Sequence, residues 1–483
     1  MRTFSTAIAA LLISQAALAA PTPAPAPTPS PSPSVVQVTP TTMPTQMLSG
    51  NYSILNGLNA VYQSKHSLDA ARASLLPGGK IGAVLDLTSS PMSFGLDSVS
   101  ILLPFLLPST WFAEKESSHM LDAEKDGYYI LELNEFATIY AMYETIINDM
   151  DLEQVLQQQY NDLNSVALIL QNQQEIGGGT SEDAEQAEGA ALAAKGQLEA
   201  MQELLVQEKS LLSEDLGLTP GMPMNFDATA HVPASAVEGQ TVAALLPQAD
   251  QLAPETAQIN ALISASKDQK WSDVFAFLNA FSLATQSGGN GSSASSANGA
   301  NSSGGSASFG NIGLTADVSF GFSTFPTVAL DNEKTKALQL ELYNLNLTEG
   351  QILVSALGSI TLAQQQLVDN SASETALTDV FGIEERNYQR GFTDLLHVLD
   401  AETAAVSAAT ARIKAQSDLD NLRINLHRVF LTDQFTALPP CKFQGNVKKS
   451  KGNPFGWIVQ IFSGKSADKS IDQLCRPGLS SPT

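Results

Sequence analysis

Basic side chains are scarce in this chain: 25 Lys and Arg stand against 49 Asp and Glu, a formal charge of −24 at pH 7. Phosphate backbones are bound by basic surface, so this balance excludes nucleic acid as a partner. Hydrophobic runs are short as well. No run approaches the roughly 18–20 apolar residues of a spanning helix, and the nearest, Val99 to Pro108, is interrupted by Pro104. A membrane segment of this chain would have to be built from strands. Histidine is sparse: His66, His119, His231, His397 and His427 form no HExxH or other compact metal pattern. Gly289 to Ala294 fits a G-x-G-x-x-A spacing, but more Gly and Ser follow in place of a helix that would present N–H groups to a phosphate. Nothing in the sequence pairs two carboxylates for acid–base work. An enzyme is not indicated, and neither a metal nor a cofactor is called for.

Cysteine is almost absent. The two present, Cys441 and Cys475, bracket a tail in which Lys442, Lys448, Lys449, Lys451, Lys465, Lys469 and Arg476 outnumber Asp468 and Asp472. In an exported chain such a pair reads as a disulfide, free thiols being the alternative. Closing that loop would contribute roughly 3–4 kcal/mol in the chain-entropy model. Export is indicated by residues 1–19, where Arg2, the apolar stretch Ala7–Ile13 and Ala17-Leu18-Ala19 form a signal-peptide pattern. Residues 20–45 are rich in Pro, Thr and Ser and read as a semi-rigid tether.

Periodicity divides the remainder into 46–222, a connector at 223–252, 253–435 and the basic tail 436–483. In the first part a helix is expected from about Leu48 to Leu75. Two extended stretches follow, Lys80–Thr88 and Ser93–Leu103, then a helix from about Thr110 to Gln174. Gly177-Gly178-Gly179 breaks it, and a shorter helix returns with Leu198, Met201, Leu205 and Leu212 on one stripe. The second part repeats the plan. A helix from Pro254 leads into Trp271–Gln286, where Phe275, Phe277 and Phe281 share one parity. After a Gly/Ser tract, Asn311–Phe325 alternates strictly, with Phe320 and Phe322 on its apolar face. A helix from about Asn332 to Asn387 then breaks at Gly391 and returns.

A helix of about 60 residues is about 90 Å long, which suits a rod whose stripe is buried by neighbouring helices. The strands pose a different problem, because isolated hairpins are marginal in water. Their apolar face is covered by lipid or by a second sheet. A signal peptide together with hydrophobicity confined to strands favours lipid, hence a closed barrel without exposed edges. Four strands per chain cannot close one alone, whereas three chains supply twelve. The expectation is an α+β membrane protein assembled as a homotrimer.

One segment is more specific. Tyr388, Gly391 and Leu396-His397-Val398-Leu399-Asp400-Ala401 form a tyrosine, a glycine and then a leucine-x-valine-leucine-aspartate-alanine run. With Leu75-Leu76-Pro77, Leu216 to Gly221 and the spacing of Gly177 to Asp183, this resembles the TolC-like outer-membrane efflux proteins. The resemblance spans about Leu48 to Phe430. It implies a trimeric twelve-stranded barrel in outer-membrane lipid of a Gram-negative bacterium, above a periplasmic tunnel of helical hairpins. It also implies passive conduction, in efflux or type I secretion, of substrates handed over by an inner-membrane pump and a periplasmic adaptor protein. Asp183, Gly177, Tyr388, Gly391, His397 and Asp400 would then form the tunnel entrance, and Phe275, Phe277, Phe281, Phe320 and Phe322 would face lipid. His397 stands where family members often carry an acid. Since histidine titrates near the physiological range, three copies near an axis would change cation preference in acid. Plainer roles stay open: Asp183 can cap a helix that begins at Thr180, and Tyr388 can simply pack in the hairpin. An exported structural or adhesive coiled coil without a pore is the alternative reading of the whole.

Overall fold

The computed structural model describes residues 35–76, 78–86, 93–102, 104–227, 231–276, 278–285, 306–309, 312–318, 324–438 and 440. The signal peptide, Phe277, Phe320, Phe322, the Gly/Ser tract, Cys441 and Cys475 lie outside them.

Two helices dominate. The first, α3 (Pro108–Glu175), has 68 residues, and the second, α7 (Thr324–Gln389), has 66, so each is about 100 Å long at 1.5 Å per residue. Pro108 sits at the first position of α3, where a missing N–H costs nothing. Each long helix is followed by a shorter antiparallel partner, α4 (Ser181–Asp215) after α3 and α8 (Leu395–Phe430) after α7. Before them stand α1 (Met43–Gly50) and α2 (Tyr52–Ser74), and between them α5 (Val242–Leu252) and α6 (Pro254–Val274). Among the described residues, no helix is long and apolar enough to cross a membrane.

Five of the strands form one sheet. An antiparallel sheet has the order β2-β3-β5-β7-β6, formed by β2 (Gly78–Asp86), β3 (Ser93–Leu102), β5 (Leu278–Thr285), β6 (Ser306–Phe309) and β7 (Ile312–Val318). Residues Val99–Leu102 of β3 pair with Ser282–Thr285 of β5, joining the two halves of the chain. The alternating segment expected to run to Phe325 is shorter: β7 ends at Val318, and α7 has begun by Thr324. Pro326 does not prevent this, because it falls in the first helical turn, which needs no N–H donor.

Two boundaries differ from expectation. Residues 36–45, assigned to the tether, belong to the folded body. There β1 (Val36–Val38) pairs in parallel with β4 (Met224–Phe226), and Val38, Met43 and Met47 are fully buried. Three apolar side chains within a Pro/Thr-rich context are too few to show periodicity, so their burial is a tertiary effect. Likewise the connector 223–252 is not simply a loop, since it holds β4 and α5.

The main core surrounds the middle of α3. Phe136, Ile139, Tyr140, Tyr143, Ile146 and Ile147 pack with Met43, Ile54, Leu212 and Phe435. Phe435 meets Phe136 edge-on at 5.0 Å between ring centroids. Chain breaks are locked here too. Asn51 caps α2 by accepting from the Ile54 N–H at 3.0 Å, and its Nδ2 donates to the Asp215 carbonyl at 2.7 Å. That contact ends α1 and pins the junction to the C-terminus of α4. At the same junction Gly217 has φ +66°, and a Cβ built on it would lie 2.1 Å from Gly50 backbone. The Leu216 to Gly221 segment thus combines a left-handed cap with a backbone contact that no side chain would permit.

Candidate functional site

Three regions bear on function: the hairpin tips, the junction between strands and helices, and the connector across the helices. The tips are built alike. In α3 the Gly178 N–H donates to Gln173 O at 2.8 Å and the Gly177 N–H to Gln174 O at 3.0 Å. In α7 the Phe392 N–H donates to Asn387 O and the Gly391 N–H to Tyr388 O, each at 2.9 Å. Both are Schellman ends, which need a residue with positive φ, and Gly177 (+77°) and Gly391 (+75°) supply it. The return helices are capped by side chains: Thr180 Oγ1 accepts from the Asp183 N–H, and Asp394 Oδ1 accepts from the His397 N–H, both at 3.1 Å.

The expected entrance residues divide under this geometry. Tyr388 packs against the apolar end of the first hairpin, beside Leu163, Ala167, Ala184 and Leu395. Burial raises its phenol pKa, and the Asp183 carboxylate raises it further. The structure therefore brings Tyr388 and Asp183 together, with Asp183 also in the first turn of α4, where an acid favours the helix dipole. His397 and Asp400 are exposed on α8. Exposed apolar side chains complete the tips, with Ile176 at 84% and Phe392 at 79% exposure.

At the other end of the rods an aromatic cluster marks the passage from helix to strand. Phe275, expected on a strand, is the residue that ends α6. The helix outlasts the parity pattern by one turn, because Phe275 stacks on Phe112 at 5.8 Å and 2° and on Trp271 at 6.2 Å. Ser272 Oγ donates to Ser109 O at 3.1 Å, tying α6 to α3. Trp111 is half exposed and donates through Nε1 to Phe105 O at 2.8 Å. Lys115 and Lys270 lie over the Phe112 and Trp271 rings at 5.4 and 5.8 Å. Phe281 is in β5, opposite Ala316.

The connector carries a polar contact set that no sequence pattern announces. Arg423 on α8 donates from Nε to Glu238 Oε1 at 3.0 Å and from Nη1 to Val232 O at 3.2 Å. Gln364 on α7 donates to Glu238 Oε2 at 2.9 Å. His427 Nε2 lies 2.9 Å from Pro233 O, and since a carbonyl only accepts, this nitrogen carries the proton. Two residues before Pro233, His231 Nδ1 sits 3.3 Å from Asp420 Oδ2 and 3.8 Å from Glu144 Oε2. Contact with Asp420, then with Glu144, raises the His231 pKa to about 10. Glu144 is pushed up to about 7, chiefly by burial. The only signal for this region in the sequence is the presence of acids, Glu144 and Asp420, within otherwise apolar helical stripes.

No protein-family model and no curated protein sequence matches the chain. Solved structures do match. The CmeC outer membrane channel of Campylobacter jejuni superposes with a TM-score of 0.66 at 15% identity, over 82% of this chain and 88% of that one. The OprN outer-membrane channel gives 0.64 at 14%, over 82% and 90%. The open state of the MtrE outer membrane channel of Neisseria gonorrhoeae gives 0.63 at 14%, over 81% and 88%. The chain has the fold of these channels.

Proposed function

We propose that the protein is an outer-membrane duct that conducts substrates passively, built as a homotrimer with two structural repeats per chain. The observation that carries this reading is the open sheet: β2 at one edge and β6 at the other have no second partner among the described residues. Unpaired edges invite pairing with another chain, and β2, β3, β5 and β7 from three chains make the twelve strands of a barrel once β2 of the next chain takes the place of the four-residue β6 against β7. Phe281, on β5, then lies in the wall of that barrel. Trp111, Phe112, Trp271 and Phe275, with Lys115 and Lys270, lie where aromatic girdles flank the apolar band of such barrels. The long hairpins project into the periplasm, with Gly177, Asp183, Tyr388, Gly391, His397 and Asp400 around the entrance. Exposed Ile176 and Phe392 there suit contact with an adaptor protein and, through it, an inner-membrane pump, in efflux or type I secretion.

The test is the mass of the protein extracted from outer membranes in mild detergent, followed by single-channel conductance of the isolated species. A trimer that conducts supports the duct. A monomer, or a trimer without conductance, returns the chain to an exported structural or adhesive rod. In conducting trimers, acid pH is expected to shift cation preference, and His397→Ala to remove that shift; persistence of the shift would exclude His397 from the pathway.

A further inference from the structure

We propose that Glu144, His231 and Asp420 form a site for one divalent transition-metal ion of the zinc type, clamping the connector to α3 and α8. The three side chains come from separate elements, and one ligand atom from each lies within 4.8 Å of the other two. Zinc bound at about 2.0–2.2 Å in tetrahedral geometry separates neighbouring N and O ligands by roughly 3.3–3.5 Å. The distances of 3.3 and 3.8 Å from His231 Nδ1 to the two carboxylates are therefore close to those an ion requires. Imidazole and carboxylate are the donors such ions take.

Hydrogen bonding gives a second reason. Glu144 is 1% exposed, yet neither of its carboxylate oxygens has a hydrogen-bond donor. A buried carboxylate left this way is costly. The imidazole at 3.8 Å is too distant to donate to it, while Asp420 accepts from Gln416 Nε2 on both its oxygens, at 2.9 and 3.0 Å, and pairs with the imidazole at 3.3 Å. The other charged neighbours do not repair this. Arg423 is committed to Glu238, and Asp433, near Tyr140, adds negative charge. With both carboxylates ionised, a protonated imidazole leaves the trio with one net negative charge, whereas a dication with neutral imidazole leaves none. The His231 side chain is 34% exposed and provides the entry path.

The clamp would act on the connector. His231 precedes Val232 and Pro233, whose carbonyls bind Arg423 and His427, so a bound ion extends an existing strap to α3. Its occupancy would set how firmly the connector holds the two helices together, and it needs no particular cargo.

The full-length protein, stripped with EDTA and titrated with zinc chloride against a chromophoric chelator, tests this. One zinc per chain is expected, with His231→Ala and Glu144→Gln each weakening binding at least tenfold and His66→Ala leaving it unchanged. X-ray absorption should show only N and O ligands. Circular dichroism of each variant verifies that helicity is kept, and Asp420→Asn serves in place of any variant that loses it. The proposal is overturned if wild-type protein takes up no stoichiometric zinc, if folded His231→Ala binds as well as wild type, or if sulfur appears in the zinc shell, which would place the ion at Cys441 and Cys475.

Discussion

The two long helices are nearly equal in length and opposite in surroundings. Helix α3 is covered on several sides by α2, α4, α6 and α8, and it buries residues along most of its course, from Leu121 to Leu170. Helix α7 packs on α5, α6 and α8 but, among the described residues, buries only Asp331, Leu353, Ile360 and Ala363. Leu340, Leu347, Val354 and Val368 stay exposed on it. Those positions recur at multiples of seven, with Thr361 in the missing place, which is the spacing of a coiled-coil seam. Two rods of similar length thus have unequal fates: the chain covers α3 along most of its course and leaves a row of apolar side chains on α7 exposed.

This comparison can be broken at its strongest point by charging the α7 seam. Leu347→Asp with Val354→Asp is expected to abolish the proposed trimer, read as a threefold drop in mass by light scattering, with helicity retained. An intact trimer would mean that this stripe is not the subunit contact. Next in size, Ile147→Ala in the α3 core should cost about 2–5 kcal/mol in denaturant unfolding. Leu362→Ala on exposed α7 should cost a measurable amount only at protein concentrations where the oligomer forms.

The glycine ends sharpen the contrast further. Gly217→Ala combines a left-handed residue with a backbone overlap and should lower stability by about 2–4 kcal/mol. Gly391→Ala, whose Cβ would meet nothing within 4 Å, carries only the conformational cost of about 1 kcal/mol. Similar losses for the two would show that the Gly50 contact yields. A buried acid where the two hairpins meet gives an effect that depends on pH. Burial, then the carboxylates of Asp162 on α3 and Glu385 on α7, push Glu402 from 4.5 to about 7. The folded chain therefore binds this proton more tightly than the unfolded one, so stability falls as pH rises from about 4.5 to about 7 and is level above. Glu402→Gln should raise the melting temperature at pH 8 and leave it nearly unchanged at pH 4; equal shifts at both would assign the effect to packing.

Several elements were legible because their cause is local. The ends of α3 and α7 follow from Gly177 and Gly391, each sitting where a helix needs positive φ, and the start of α4 follows from Thr180 as its cap. Phe275 was misread because its parity suits a strand, while a stack with Phe112, distant in sequence, keeps it on helix. Val38, Met43 and Met47 were missed because a short apolar group beside a Pro-rich stretch has no period, and only β4 and the α3 core give it a place. Of the candidate site residues, Gly177 and Gly391 were readable as helix ends, whereas the approach of Tyr388 to Asp183 was not. The Glu144–His231–Asp420 group was not readable at all.

The sequence by itself determined the rods, their breaks, the position of most strands and the acidic character of the chain, because periodicity, caps and charge are properties of neighbouring residues. Only the tertiary structure decided which rod is covered within the chain, which aromatic groups gather at the junction, and which buried acids face a histidine across three elements. Those outcomes depend on distances between residues far apart in the chain, and no local pattern encodes such a distance.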